Sequence, residues 1–422
     1  MKIHIQPSRL EGALCVPPSK SMGHRALICA GLTQGSSTIL GLGHSKDMEA
    51  TIQCLEALGA SFKKEKDAWH VVGCDPRSLN RPAQLKCNES GSTLRFLLPV
   101  ACLSKETITL YGKGRLMERP MKIYQDLFEA QGLRYSQTNE AIKAQGPLQS
   151  GNFTLPGNVS SQFISGLLFA LPLMEKESTL HIQGKLESKS YIDLTLDTLE
   201  KANIKITPIE NGYSIEGHQT YAPTTYHVEK DYSQLAFFAV YAALKAPLSF
   251  IELDPDSKQG DKAILKILEK AGASIEWKER TLTIKPSQLH EQVIDLADCP
   301  DLGPILCVLA AYCPGQTKII HAGRLRIKES DRIQAMENEL KKWGVDIQSD
   351  EDTITINGKR NYKKEEIITM EGHNDHRIVM ACTIFGLLAL SPSCISGAEA
   401  IEKSYPTFFE DIKRLKGKVE LV

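Results

Sequence analysis

A unit of about 70 residues recurs six times along this 422-residue chain. Each copy sets a polar cluster directly before an apolar, helix-like stretch. The clusters are PSKSMGHR (Pro18–Arg25), NESGSTLR (Asn88–Arg95), NVSSQF (Asn158–Phe163), KDYSQL (Lys230–Leu235), DCPDLGP (Asp298–Pro304) and GHNDHR (Gly372–Arg377). A second phrase keeps step with the first. An amphipathic helical pattern stops and turns into a short strand at Gly59, Gly132, Asn203, Gly272, Gly344 and Gly417. Gly and Asn are the residues that best tolerate the left-handed backbone of a helix C-terminus. Within a unit the pattern reads strand, apolar or amphipathic helix, then short strands. KIHIQPS alternates as a strand, SKSMGHRALICAGLTQG reads as a helix ended by Gly35, and DMEATIQCLEALGA reads as the amphipathic helix.

The repeat predicts an α/β fold of two similar domains with three units each, in which one helix per unit is apolar enough to be buried. The length suits two cores better than one. Two Pro-containing passages, Cys15–Ser19 and Tyr221–Asp231, read as connectors. Used together, they leave the first strand on the side of the last three units, with domains at 16–229 and at 1–15 plus 230–422.

Composition narrows the function. The formal net charge is -1, with 24% charged residues, which argues against a nucleic-acid binder held by general basicity. Any functional positive charge must be local. MKIHIQPSRL has no apolar h-region, so no signal peptide is expected, and the longest apolar run, Ile378–Leu390, is too short to span a bilayer. The 11 cysteines form no CxxC pair. Several lie in apolar helical stretches, which suits reduced thiols in the cytoplasm.

A helix N-terminus offers free N–H donors and a partial positive charge, so six such ends could serve an anionic ligand. In the first cluster Lys20, Ser21 and Arg25 add a point charge, a hydroxyl and a planar fork. The second has Gly91 at its turn, where a backbone can approach a ligand closely, and the third has Ser160, Ser161 and Gln162. Arg119 stands beside a Pro-restricted turn. Taken singly, each cluster is equally a capped helix. The later half adds Asp301, the dense run RLRIKESDR with Lys328, Glu329 and Arg332, then His376, Arg377 and Lys403. His373 and His376 with Asp375 could suggest a metal, but no third ligand is placed. The summed cations suit a ligand with two or more anionic groups. Asp301 and Glu329 are the candidate acid–base groups, since a carboxylate among cations stays ionised and suits a base.

PPSKSMGHRALICAGL, ESGSTLRFLLPV, ERPM, VSSQFISGLL, SKSYIDLTL, CPDLGP, RIKESDR, NDHRIVMA and EKSYPTFFED, in this order, resemble the motif series of the 5-enolpyruvylshikimate-3-phosphate synthase family. The resemblance covers essentially the whole chain. It implies two similar domains that close on the ligands, each of three βαβαββ-type repeats with buried helices whose N-termini face the interdomain cleft. It implies transfer of the enolpyruvyl group of phosphoenolpyruvate to shikimate 3-phosphate, in the shikimate pathway, by a cytoplasmic monomer with no metal or organic cofactor and no nucleic-acid or membrane partner. By motif, Lys20, Ser21 and Arg25 would hold shikimate 3-phosphate. Ser160, Ser161 and Ser188 would take its phosphate, with Gln162 and Tyr191 against the ring. Gly91, Arg119, Arg332, Arg377 and Lys403 would grip phosphoenolpyruvate, with His376, Lys20 and Lys328 close by. Asp301 would take the proton of the attacking 5-hydroxyl, Glu329 would handle the methyl/methylene proton, and Lys20 would be the third catalytic residue. Two positions depart from common family forms, Glu89 beside the glycine turn and Arg324 before Lys328. Both bear on phosphoenolpyruvate contacts and on the response to glyphosate, an inhibitor of the family. The rival readings are the sister transferase acting on UDP-N-acetylglucosamine and a non-catalytic anion binder. YGKGRLMERP lacks the cysteine usual in the sister enzyme, and the two carboxylates have no use in pure anion binding.

Overall fold

The computed structural model describes all residues, 1–422. Twelve α-helices form: α1 (Lys20–Gly31), α2 (Lys46–Leu58), α3 (Gly91–Ala101), α4 (Lys122–Ala130), α5 (Ser161–Ala170), α6 (Lys189–Lys201), α7 (Tyr232–Leu244), α8 (Ala263–Ala271), α9 (Gly303–Tyr312), α10 (Arg332–Lys342), α11 (His376–Leu388) and α12 (Phe408–Arg414). The odd-numbered helices are the apolar ones of the repeat. A helix that is apolar all round has no face to give to water and must be enclosed. Accordingly, every residue of α9 and α11 is buried. The even-numbered helices are amphipathic and pack one stripe inward, as α8 does with Ile264, Leu265, Leu268 and Ala271. No helix is long and apolar enough to cross a membrane.

Six four-stranded sheets accompany the helices, all with one pattern of parallel and antiparallel pairing. In the second unit of the chain, Ala83–Asn88 pairs in parallel with Thr107–Gly112. That strand pairs antiparallel with Ala141–Gln145, which carries Arg134–Gln137 on its outer side. Alternate residues of Ala83–Asn88 are buried, so one face of the sheet lies on the helices.

The chain divides into two compact units, Met1–Pro17 with Glu229–Val422, and Pro18–Val228. Each holds three sheets and its own apolar cluster. The first strand, Lys2–Gln6, pairs with Ser393–Ser396 and with Lys418–Leu421, in register Ile3↔Ile395 and Ile5↔Val419. Thr225–His227 closes the sheet begun by Ser36–Leu40.

Two local expectations need correction. α1 ends at Gly31, not Gly35; Gly35 instead takes φ 138° in the turn that follows. In the last repeat the left-handed residue is Lys416 (φ 67°), not Gly417. Gly417 is required for room, because a Cβ there would collide with Ile412 Cγ2.

Candidate active site

Within residues 18–228, the mouths of α1, α3, α5 and α6 present the residues singled out in the sequence. Lys20 begins α1, and its Nζ lies 2.8 Å from Asp47 Oδ2 at the start of α2. Arg25, one turn on, is almost fully buried. It donates from Nε to Thr195 Oγ1 (2.8 Å), from Nη1 to the Ser21 carbonyl (2.7 Å) and from Nη2 to the Tyr191 carbonyl (2.7 Å). Burial lowers its pKa to about 10. Arg25 thus ties α1 to α6 and fixes both Ser21 and Tyr191.

Gly91 opens α3 behind the N-cap Ser90. A Cβ on Gly91 would sit 2.6 Å from Arg119 Nη1, so the guanidinium of Arg119 rests on the glycine backbone. Arg119 is itself buried, and its Nε has no protein acceptor. Gln162, one residue into α5, is held from both sides. Its Oε1 accepts from Arg95 Nη1 (2.8 Å) and its Nε2 donates to Ser92 Oγ (2.9 Å). Ser160 caps α5, with Ser161 at the first helical position. Ser188 caps α6 from a left-handed backbone, φ 55°, a conformation that costs a non-glycine residue free energy and tends to occur at functional sites. The two helix mouths with their serine hydroxyls are suited to a phosphate.

Behind these groups runs a buried polar chain. His24 Nδ1 lies 2.8 Å from Thr51 Oγ1, which lies 2.7 Å from Thr93 Oγ1, which in turn donates to Ser90 Oγ at 2.7 Å. It links α1, α2 and the mouth of α3.

The unit made of residues 1–17 and 229–422 holds the acid–base candidates. Asp301 lies in a short 3-10 turn before α9. Its Oδ1 accepts from Lys328 Nζ (3.1 Å) and Arg332 Nη1 (3.2 Å), and its Oδ2 from Arg377 Nη2 (2.9 Å). Glu329 Oε2 accepts from Arg332 Nη2 at 2.7 Å. Arg332 also donates from Nε to Asp375 Oδ2 (2.8 Å). Burial works against the Arg332 charge, but Asp375, Glu329 and Asp301 outweigh it and raise its pKa. Burial likewise pulls the Lys328 pKa down, against the opposing attraction of Asp301. His376 begins α11 and is buried, its Nδ1 4.0 Å from Asp375 Oδ1. Lys403 donates to the Asn374 carbonyl at 2.6 Å.

Sequence reasoning did not find the orienting role of the residues that support these groups, and it weighed Asp375 only as a metal ligand. Asp375 caps α11, accepting from the Arg377 N–H, and also takes a hydrogen bond from Ser330 Oγ (3.0 Å). Ser233 Oγ accepts from Arg377 Nη2 (3.1 Å) and donates to Asp231 Oδ1 (2.6 Å). Asp47, Thr195 and Ser92 do the same for Lys20, Arg25 and Gln162. Each is an ordinary capping or helix residue in sequence, and its partner lies far along the chain. Arg324, one of the two departures, donates to the Ala297 carbonyl at 2.5 Å. Glu89, the other, sits against the loop, because a Cβ on Gly114 would lie 2.6 Å from Glu89 Oε2.

Known proteins resemble this chain in sequence and in fold. Residues 5–412 match the model of EPSP synthase (3-phosphoshikimate 1-carboxyvinyltransferase). The 3-phosphoshikimate 1-carboxyvinyltransferases of Clostridium kluyveri and Clostridium perfringens are 42% and 43% identical to the chain, each over 99% of it and 98% of the relative. The solved structure of EPSP synthase from Acinetobacter baumannii superposes with a TM-score of 0.81 at 27% identity, over 100% of both chains. The enolpyruvyl transferase NikO of Streptomyces tendae shares the fold, with a TM-score of 0.80 at 15% identity over 99% of this chain and 98% of that one. By these matches the chain belongs to the EPSP synthase (3-phosphoshikimate 1-carboxyvinyltransferase) family.

Proposed function

We propose that the mouths of α1, α3, α5 and α11 divide two substrates between them, while Asp301 before α9 supplies the base. As a member of its family, the chain transfers the enolpyruvyl group of phosphoenolpyruvate to shikimate 3-phosphate in the shikimate pathway. In our reading Ser160, Ser161 and Ser188 take the shikimate phosphate at the mouths of α5 and α6. Lys20, Ser21 and Arg25 hold shikimate 3-phosphate, with Lys20 also beside phosphoenolpyruvate as a catalytic group, and Gln162 and Tyr191 lie against the ring. Gly91, Arg119, Arg332, Arg377, Lys403 and His376 hold phosphoenolpyruvate, with Lys328 at the reacting carbon.

The observation that carries the chemistry is Asp301, a carboxylate accepting from three separate cations. Such a group is held ionised and fixed in direction, as a general base must be. It removes the proton of the 5-hydroxyl as that oxygen attacks C2 of phosphoenolpyruvate. Glu329 delivers a proton to C3, giving a methyl group in the tetrahedral adduct. It takes one back as the C–O bond to phosphate breaks and the double bond re-forms, and the proton held by Asp301 leaves with the phosphate. Arg332 bridges the two carboxylates and steadies the charge moving between them. Part of the same proposal is a cytoplasmic monomer. Eleven cysteines without a disulfide, all buried except Cys15 and Cys74, suit a reducing compartment.

Phosphate release with phosphoenolpyruvate and shikimate 3-phosphate tests the reading. Asp301→Ala and Glu329→Gln must lose that release while keeping the fold. Near-normal rates in both would remove the acid–base assignment.

A further inference from the structure

Glu339 lies within α10 and is 1% exposed. A glutamate buried this deeply needs charged or hydrogen-bonding partners. Its Oε1 lies 2.9 Å from His373 Nε2, and its Oε2 accepts from the Glu371 backbone N–H (2.9 Å) and Lys342 Nζ (2.6 Å). Glu371 and His373 belong to the passage that leads into α11. In that passage His373 and Asn374 are both left-handed, each with φ 50°. Consecutive left-handed residues without a glycine persist only where the surroundings hold them.

What this backbone presents is specific. The Asn374 carbonyl accepts from Lys403 Nζ at 2.6 Å. Asp375, next in line, holds Arg332 and caps α11 ahead of His376 and Arg377. The side chains of Lys403 and Arg332, and the backbone start of α11 that carries Arg377, are therefore set by five residues anchored on Glu339, which has no role of its own in the chemistry.

We propose that Glu339 and His373 are positioning residues for phosphoenolpyruvate, the imidazolium on the buried carboxylate locking residues 371–375 in the shape that places Lys403, Arg332 and Arg377. The proposal rests on the residue roles given above. The charged groups facing His373 are Glu339, Glu371 and Lys342. The hydrogen bond from Glu339 raises the His373 pKa above 6.5, against the pull of burial. Burial works against the Glu339 charge as well, but His373, Lys342 and the Glu371 N–H outweigh it. The lock is complete below 6.5 and is lost as pH rises through the raised His373 value.

The test uses the full-length chain with Glu339→Gln, His373→Asn and Lys403→Met. Asn suits the left-handed backbone, so His373→Asn removes the charge and leaves the turn feasible. We expect the KM for phosphoenolpyruvate to rise roughly tenfold in His373→Asn and Glu339→Gln. The KM for shikimate 3-phosphate should hold. The wild-type KM for phosphoenolpyruvate should rise above neutral pH, and both variants should lack that rise. In an NMR titration, the His373 imidazole of Glu339→Gln should fall back towards 6.5. Should Lys403→Met raise that KM while His373→Asn and Glu339→Gln leave it and its pH dependence unchanged, the positioning role is wrong. An unchanged KM in Lys403→Met would instead overturn the site reading beneath it. If Glu339→Gln does not fold, His373→Asn alone decides.

Discussion

Arg332 Nε donates to Asp375 Oδ2 across 2.8 Å, with the two side chains 1% and 0% exposed. This contact joins α10 to the cap of α11. Burial alone would raise the Asp375 pKa, but Arg332 outweighs it, so the group lies below its ordinary 3.8. A depressed carboxylate stabilises the fold above its unfolded pKa, and that contribution is lost as pH falls through the folded value. Removing one partner of a buried pair also leaves the other charge uncompensated. We therefore expect Asp375→Asn to cost about 3–5 kcal/mol in urea unfolding at neutral pH. The penalty should shrink in strongly acidic buffer, and a penalty independent of pH would contradict the account.

Asp301 and Glu329 should separate binding from chemistry. Asp301→Ala withdraws the carboxylate that now engages Lys328, Arg332 and Arg377. Those cations then face the anionic substrate without competition. Turnover should fall by roughly 10²–10⁴-fold, the usual weight of one acid–base group. Calorimetry should show phosphoenolpyruvate binding that is undiminished. Glu329→Gln keeps the size and its acceptor oxygen toward Arg332, so it should lose rate with little change in stability. Weakened ground-state binding in Asp301→Ala would show that the carboxylate organises the cations more than it reacts.

Ser233 tests how far a support can matter. It stands between Asp231 and Arg377, and Arg377 reaches Asp301 with the same Nη2 that reaches Ser233. Ser233→Ala removes one hydrogen bond to a charged group and leaves the N-cap function of Asp231 in place. A loss of about 1.5–3 kcal/mol is the ceiling for such a bond. The expected readout is a raised KM for phosphoenolpyruvate with kcat nearly kept. Equal loss in kcat and in kcat/KM would place Ser233 in the transition state itself.

The same serine shows what could be read from the chain. The repeat was legible because helix mouths and helix ends are local. Ser21, Gly91, Ser161 and Ser233 each open a run whose apolar character alone requires burial. The left-handed turn of the last repeat was misplaced by one residue, since a Gly suggests positive φ and equally marks a lack of space, and only packing against Ile412 separates the two. The supports were not legible. Ser233 meets Arg377 across 144 positions, Arg25 meets Thr195 across 170, and nothing near either residue announces the partner. Glu339 was invisible for the same reason, as a glutamate at a helical position is ordinary until it proves buried.

His24 supplies a final expectation, on stability. It lies in α1, is buried, and points its Nδ1 at Thr51. Burial, with Lys20 and Arg25 nearby, drives its pKa well below 6.5, so the ring is neutral in the fold. The unfolded chain takes up a proton at this residue as pH falls below 6.5, and the folded chain does not. Stability therefore declines on acidification through that point, because the unfolded state binds the extra proton. The melting temperature of the wild type should drop between pH 7 and pH 5 more than that of His24→Asn. The Asn side chain can keep a hydrogen bond to Thr51, but it does not titrate. Thr51→Val should cost about 1–3 kcal/mol at pH 7 by leaving His24 and Thr93 without their shared hydroxyl. It should also loosen Ser90, raising the KM for phosphoenolpyruvate if the mouth of α3 serves that substrate. Parallel melting curves for wild type and His24→Asn across this range would mean that His24 is protonated in the fold, and the neutral chain from α1 to α3 would have to be redrawn.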